Sequence, residues 1–379
     1  MTYELRLVRP DFDSELTTTI IELDHMRKRA LNGTAAPWYF YQLKHIFHWL
    51  ESLGSARIEG NHTTIADYVE HEIDGDTRST ESLREIENIN EAIKYVEANI
   101  EENSELDARF ILDLHSIIVK DLVKEGDVNA GAYRTHNVKI AGAKHLPTDH
   151  LHVKNLMDEL LDFINKKDVD QYDLIKTALF HHRFAWIHPF GNGNGRVARM
   201  LNYALLIKYG FNVKQGRILN PSCVFFSDRE YYYMSLSYAD QGTDEALLRW
   251  CEYVLTGISS EILKIDALMN YAYLSLSILL PAITNAANRK LITKGEAEIL
   301  RLGVRDKAQS FKSSDISGDY TSRQKTHMIK KLKDAGYIKS VEKGSRSYYV
   351  NFSRSHLLRG VMKALEENKF IPPIDTKKE

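Results

Sequence analysis

His188, Arg196 and Arg199 are residue types that handle protons and phosphates, and they fall within one short run. The run reads His188-Pro-Phe-Gly-Asn-Gly-Asn-Gly-Arg196, with Arg199 one helical turn later. Pro189 disfavours the α region at His188, so the chain must turn there. Gly191, Gly193 and Gly195 let backbone N–H groups converge, and the helix that follows turns its positive end to the same space. This is a cradle for an anion such as a phosphate. Arg196 and Arg199 lie three apart and place two cations on one helical face. His188 supplies a base near neutral pH. A hydroxyl nucleophile needs such a base within reach, and a phosphorus centre gaining charge needs fixed donors.

The elements that position this run follow from apolar spacing. Leu174, Ala178, Leu179, Ala185, Trp186 and Ile187 mark a helix over Asp173–Ile187 that delivers His188, and Val197–Tyr209 continues as a second helix. Trp38, Tyr41, Leu43, Ile46, Phe47, Leu50 and Leu53 predict an earlier helix over Trp38–Ile58. It ends in Ser55-Ala-Arg-Ile-Glu59-Gly60-Asn61. Ser55 and Glu59 share a face, and a carboxylate in a last helical turn opposes the dipole, so Glu59 calls for a cationic partner. Further helices are expected over Thr80–Asn99, Leu106–Val123, Leu151–Asn165, Phe225–Ala239, Glu245–Ser259 and Glu261–Ala287. Residues 1–36 mix strand-like and charged pieces. His115 reads as a core-edge histidine and Phe190 as a loop anchor. Val138-Lys-Ile-Ala-Gly142 and its neighbours suggest a short hairpin.

The composition shifts after residue 290. Over residues 290–352, Lys and Arg number 14 against 7 Asp and Glu, in a chain whose net charge is −2. A helix over Thr293–Leu302, a basic helix over Ser322–Ala335 and strands at Tyr337–Glu342 and Ser347–Phe352 suggest a winged helix-turn-helix. Arg323, Lys325, Lys330, Lys331, Lys333 and Arg346 would give residues 313–346 a footprint for DNA phosphates, though such modules also dock proteins or dimerise. Residues after Phe370 read as a disordered tail. With 379 residues there is room for two or three domains. The small net charge exerts no global pull toward nucleic acid or membrane. Cys223 and Cys251 are too few for a disulfide framework, which together with the absence of a signal-peptide pattern gives a cytoplasmic expectation.

The His188–Arg199 run resembles the signature of the Fic family, His-x-Phe-x-(Asp/Glu)-Gly-Asn-Gly-Arg-x-x-Arg, departing from it only at Asn192. Ser55–Gly60 resembles that family's inhibitory motif, and Gly131–Pro147 falls where its flap lies. The resemblance implies a mostly α fold: an N-terminal segment (residues 1–37), a Fic-type core with a β-hairpin flap (38–288, inhibitory helix 38–61), a winged-helix domain (289–360) and a tail (361–379). It also implies AMP transfer from ATP to a Ser, Thr or Tyr hydroxyl of a target protein. His188 would be the base. Gly193, Asn194, Gly195, Arg196 and Arg199 would hold phosphates, and Tyr232 or Tyr238 would line the purine pocket. Glu59, with Ser55, would pair with Arg199 and block the γ-phosphate. Val138, Lys139, Ile140 and Ala141 would dock the target. Asn192 stands where a carboxylate would hold Mg²⁺, and an amide brings no charge to a hard cation. The resemblance leaves other readings: a nucleotide-sensing DNA-binding regulator, removal of AMP from a modified protein, transfer from another phosphate-containing donor, and a homodimer as the assembled state.

Overall fold

The computed structural model describes residues 4–29, 33–74, 80–214, 216–353 and 356–371. Helices dominate: α1 Glu15–Lys28, α2 Pro37–Ile58, α3 Ile65–Asp74, α4 Glu81–Asn99, α5 Ala108–Ile118, α6 Val153–Asn165, α7 Asp173–Ile187, α8 Asn194–Lys208, α9 Ser222–Phe226, α10 Arg229–Ala239 and α11 Asp244–Asp266. They continue as α12 Tyr271–Leu274, α13 Leu280–Asn288, α14 Lys294–Arg305, α15 Ser322–Asp334 and α16 Leu357–Glu367. The strands are β1 Phe311–Lys312, β2 Ile338–Ser340 and β3 Ser347–Val350.

The chain forms two compact units. One takes Met1–Ala30, His48–His62 and Ser79–Leu263; the other takes Leu31–Phe47, Thr63–Arg78 and Lys264–Glu379. Helices α2 and α11 therefore each contribute to both.

In the first unit α8 is the axis. Nearly all of its residues are buried, on every face, as expected for a helix enclosed by others. Helices α7, α4 and α5 pack directly on it. Helix α7 is equally enclosed, and Trp250 of α11 donates its Nε1–H to the Ala178 carbonyl at 2.6 Å. The strand-like reading of residues 1–36 is corrected by α1. Ser14 caps it, and Leu16, Ile20 and Leu23 are buried one and two turns apart. The β-branched Thr17, Thr18 and Thr19 and the exposed Ile21 between them give the stretch its strand-like look. Helix α5 stops at Ile118, short of the expected Val123: Val119, at ψ 5°, leaves the helix, and Asp121 then takes a left-handed φ of 54°.

In the second unit, β1, β3 and β2 form an antiparallel sheet in that order, with Phe311 opposite Tyr348 and Ile338 opposite Val350. Thr321 and Gln324 make a reciprocal capping box at the start of α15. The second compact unit takes in the chain from Lys264 onward, ahead of the boundary expected at residue 288. The physical reason is that α13 packs on α16, so closely that a methyl on Gly360 would lie 2.6 Å from the Ala282 carbonyl oxygen. Helix α16 also takes in residues through Glu367 that read as tail, burying Leu358, Val361 and Leu365. The stretch expected to be disordered lies, beyond Ile371, outside the described residues. The single helix expected over Glu261–Ala287 is broken at Asn270, whose ψ of 110° is extended. Among the described residues no single helix is long and apolar enough to cross a membrane.

Candidate functional site

The carbonyl of Phe184 receives the N–H of His188 at 3.0 Å, and His188 then takes a left-handed conformation, φ 53° and ψ 63°. Pro189 thus ends α7 as the sequence requires. The imidazole Nδ1 lies 3.3 Å from the Ala185 carbonyl oxygen, which can only accept. Nδ1 therefore carries the proton and Nε2 is the basic nitrogen. Burial lowers the pKa of His188 to about 4, against the opposing pull of Ala185 and Glu59, so the ring is neutral at pH 7.

Arg134 fixes the turn from outside. Its Nε donates to the His188 carbonyl at 2.8 Å and its backbone N–H to the Pro189 carbonyl at 2.9 Å. Phe190 is fully buried, and His115 stacks flat on it at 3.7 Å. The N–H of Gly131 points at His115 Nδ1, so Nε2–H is the donor to the Asn192 carbonyl at 3.2 Å. His115, read from sequence as a core-edge residue, in fact braces the loop. Asp127 does the same, accepting the Asn192 N–H at 3.1 Å. Neither role is signalled locally, because the partners are 77 and 65 residues away.

The loop assigns its amides differently from expectation. Asn194 pairs both its side-chain atoms with the Phe190 backbone, accepting from N–H and donating to C=O at 2.9 Å each. Its amide closes the loop and is not turned to a phosphate. Gly193 has φ 76°, and a methyl there would lie 2.9 Å from Val119 Cγ1, so the position demands glycine. Gly193 gives α8 no side-chain cap, which leaves the positive end of that long helix to an anion.

That space is taken by Glu59. A methyl on Gly195 would sit 2.1 Å from Glu59 Oε1 and 3.1 Å from Arg199 Nη1. Arg199, buried in α8, donates Nε to Ser55 Oγ at 2.8 Å, and Nη2 to the Ser55 carbonyl at 2.9 Å and to Glu59 Oε1 at 2.7 Å. Burial would raise the carboxyl of Glu59, but the charge and hydrogen bond of Arg199, with Arg196 and Arg229 behind, hold it below its usual range. Arg196 is 1 % exposed and is held by Glu85, Nη1 to Oε1 at 2.7 Å, and by the Glu125 carbonyl at 2.9 Å.

The two tyrosine candidates are placed differently, and Tyr232 interacts with Arg199. Tyr232 is 2 % exposed, packed against Phe225 and Trp250, with its hydroxyl on His181 Nε2 at 3.0 Å. Tyr238 lies under the guanidinium of Arg249. A further tyrosine at the Glu59 end is Tyr233, whose hydroxyl donates to the Ile58 carbonyl at 3.3 Å and whose ring lies under Arg229. Val138, Lys139 and Ile140 belong to no helix or strand and lead into a turn at Ala141-Gly142. The expected hairpin is corrected: among the described residues the arms form no strand pair.

Asn192 does not fit a metal ligand as it stands. Its Oδ1 accepts the Gly193 N–H at 2.7 Å, and the neighbouring Asp127 oxygens accept the N–H groups of Asn129 and Asn192. Among the described residues no cluster of three His, Cys, Asp or Glu could hold a metal.

Residues 105–206, which contain the whole loop from His188, match the Fic/DOC family. The chain contains a Fic domain. Two proteins called "Protein adenylyltransferase Fic" are similar to it: one from Nematostella vectensis, 30 % identical over 212 residues, and one from Drosophila willistoni, 27 % identical over 230 residues. These alignments take in 55 % and 60 % of this chain but only 45 % and 42 % of those proteins, so the chain spans less than half their length. A crystal structure of a Fic family protein from Desulfovibrio desulfuricans G20 aligns over 91 % of this chain and 98 % of its own, with TM-score 0.53 and 18 % identity. Fic-1 from C. elegans aligns over 68 % and 73 %, with TM-score 0.54 and 20 % identity. The shared fold of the Fic domain thus extends to helical surroundings well beyond residues 105–206.

Proposed function

We propose that this protein transfers AMP from ATP to a hydroxyl side chain of a target protein, and that the conformation described is its restrained state. The observation that carries the reading is the Glu59–Arg199 pair at 2.7 Å, with the carboxylate standing over Gly195 at the uncapped end of α8. A carboxylate there occupies the place of a phosphate oxygen and neutralises the cation that would bind one. With Glu59 withdrawn, the target hydroxyl oxygen attacks the α-phosphorus and its proton passes to His188 Nε2. The α–β anhydride bond breaks and pyrophosphate leaves. The first-turn N–H groups of α8 and the Arg199 guanidinium stabilise the charge that gathers on the phosphate oxygens.

The target itself is a proposal of the same kind. Val138–Ala141, which lies in no strand pair among the described residues and runs into the turn closed by the Ala143 N–H on the Ile140 carbonyl, offers backbone to which a target segment can add as a strand. The buried thiols of Cys223 and Cys251 suit a reducing compartment such as the cytoplasm. A second role, contact with DNA, is favoured by the exposed Arg323, Lys330 and Lys333 on α15 and Arg346 between β2 and β3, although Lys331 is already paired with Glu296 at 2.9 Å.

The test is incubation of wild type, Glu59→Gly and His188→Ala proteins with α-labelled ATP, followed by mass spectrometry. An AMP adduct that rises in the Glu59 variant and is absent from the His188 variant is expected. Adducts of equal size in wild type and Glu59→Gly would remove the restraint from the reading, and adduct formation without His188 would remove the base.

A further inference from the structure

Arg196 is the less expected of the two signature arginines. It is 1 % exposed and sits one turn before Arg199 on α8. Both terminal nitrogens are committed, Nη1 to Glu85 Oε1 at 2.7 Å and Nη2 to the Glu125 carbonyl at 2.9 Å, with Glu125 Oε2 at 3.4 Å. Its Nε is buried and has no hydrogen-bond partner among the described residues. A buried guanidinium N–H without an acceptor is costly, and an arriving anion would satisfy it.

The partner carboxylate leads back to the inhibitory segment. Glu85, on α4 with a side chain 4 % exposed, accepts Asn61 Nδ2 on Oε2 at 2.7 Å while Oε1 accepts Arg196. The Asn61 amide also donates to the Ser82 carbonyl at 2.8 Å, so one side chain gathers the first turn of α4 around itself. Asn61 stands two residues beyond Glu59, and its N–H bonds the Ala56 carbonyl at 3.2 Å, so it moves with the end of α2.

We propose that the segment Ser55–Asn61 restrains both arginines: Arg199 directly through Glu59, and Arg196 indirectly, with Asn61 holding Glu85 against it. The proposal rests on the reading of the loop as a polyphosphate site. Glu59 from the end of α2 neutralises Arg199, and Glu85 from α4, with Glu125 Oε2 further off at 3.4 Å, neutralises Arg196. Withdrawal of the end of α2 removes Glu59 from Arg199 and the Asn61 amide from Glu85 in one movement. Glu85 is then free to turn, and Arg196 becomes available to the same anion. Removing Glu59 alone releases only half of the restraint. Glu85 acts here as a positioning residue for Arg196 and touches no substrate.

The test uses the full chain and tripolyphosphate as the probe, with affinity measured by calorimetry in the absence of divalent cations for wild type, Glu59→Gly, Glu85→Gln, Asn61→Ala and the pairwise combinations. Glu85→Gln is expected to raise affinity several-fold on its own and to add to the gain from Glu59→Gly. Asn61→Ala should raise affinity while Glu85 is present and do nothing further once Glu85 is Gln, a non-additive pair. Unchanged or weaker binding in Glu85→Gln, with a melting temperature near wild type, overturns the proposal and leaves Glu85 as packing. If Glu85→Gln does not fold, Asn61→Ala decides: no gain in affinity there overturns it equally. AMP transfer is not read in this experiment, so a failure of the transfer reading leaves a distinct pattern, gains in tripolyphosphate affinity without adducts.

Discussion

At the scale of the residue, the proposed function makes the site a contest between carboxylates and phosphates for the same cations. Glu59 wins in the conformation described because it is tethered, partly buried and bonded to Arg199 at 2.7 Å. Position 192 is the residue where the chain departs from its family resemblance, and the structure shows the asparagine oxygen turned back on the Gly193 N–H. Asn192→Asp in the Glu59→Gly background should therefore make ATP-analogue binding depend on Mg²⁺, by roughly tenfold for one added charged oxygen ligand. Calorimetric titration with and without the cation checks this, and equal Mg²⁺ dependence in both proteins would show that position 192 faces no metal. His188 is held neutral well above its pKa of about 4. Adduct formation should consequently show no histidine titration between pH 6 and 8. A rate that rises through pH 6.5 would mean that the ring is solvated when the site works.

At the scale of the element, two helix meetings carry the arrangement. The α7–α8 pair sets His188 and the signature arginines on either side of one loop, and that loop is braced by His115 and Asp127, which come from before it in sequence. Amphipathic spacing finds the helices because burial of one face repeats every three or four residues. It does not find braces, which depend on which loop another helix happens to meet. In the second unit the α13–α16 crossing is made by Gly360 lying against the Ala282 backbone. Gly360→Ala puts a methyl 2.6 Å from a carbonyl oxygen, a contact that neither backbone can relieve by a rotamer change. It should destabilise that unit by about 1–3 kcal/mol. Denaturant midpoints for the variant would measure this, with an unchanged midpoint showing that the helices can slide apart without loss.

At the scale of the whole molecule, buried neutral histidines make stability depend on pH. Burial takes His188 and His115 to about 4 and His181, which also faces Arg199 and His182, to about 3. An unfolded histidine titrates near 6.5, so below that pH the unfolded chain binds more protons than the folded one. Stability is fully present above pH 6.5 and is lost as pH falls from there toward 4, by about 1.4 kcal/mol per pH unit for each such histidine. Glu51 acts in the opposite sense. Burial lifts it to about 7 against the hydrogen bonds from Ser222 and the charge of Arg199, so its contribution falls as pH rises from the usual carboxylate range to 7. Three groups outweigh one, and urea midpoints should drop between pH 6.5 and 4.5. A constant midpoint would place the histidines in water.

The sequence by itself determined the loop. Residue types at fixed spacing, glycines where only glycine fits and a proline that ends α7 at His188 are local properties, and they specify an anion cradle with a base beside it. Helix positions were legible for the same reason, and so was the need of Glu59 for a cation. Tertiary structure decided what each group is paired with. It put Asn194 into loop closure, Tyr232 into the core and Tyr233 beside the end of α2. It also gave Arg196 to Glu85, 111 residues away, and carried helices read as core into the second unit. Partnership among buried polar groups is set by which helices cross, and no periodicity along one chain segment records the face of another.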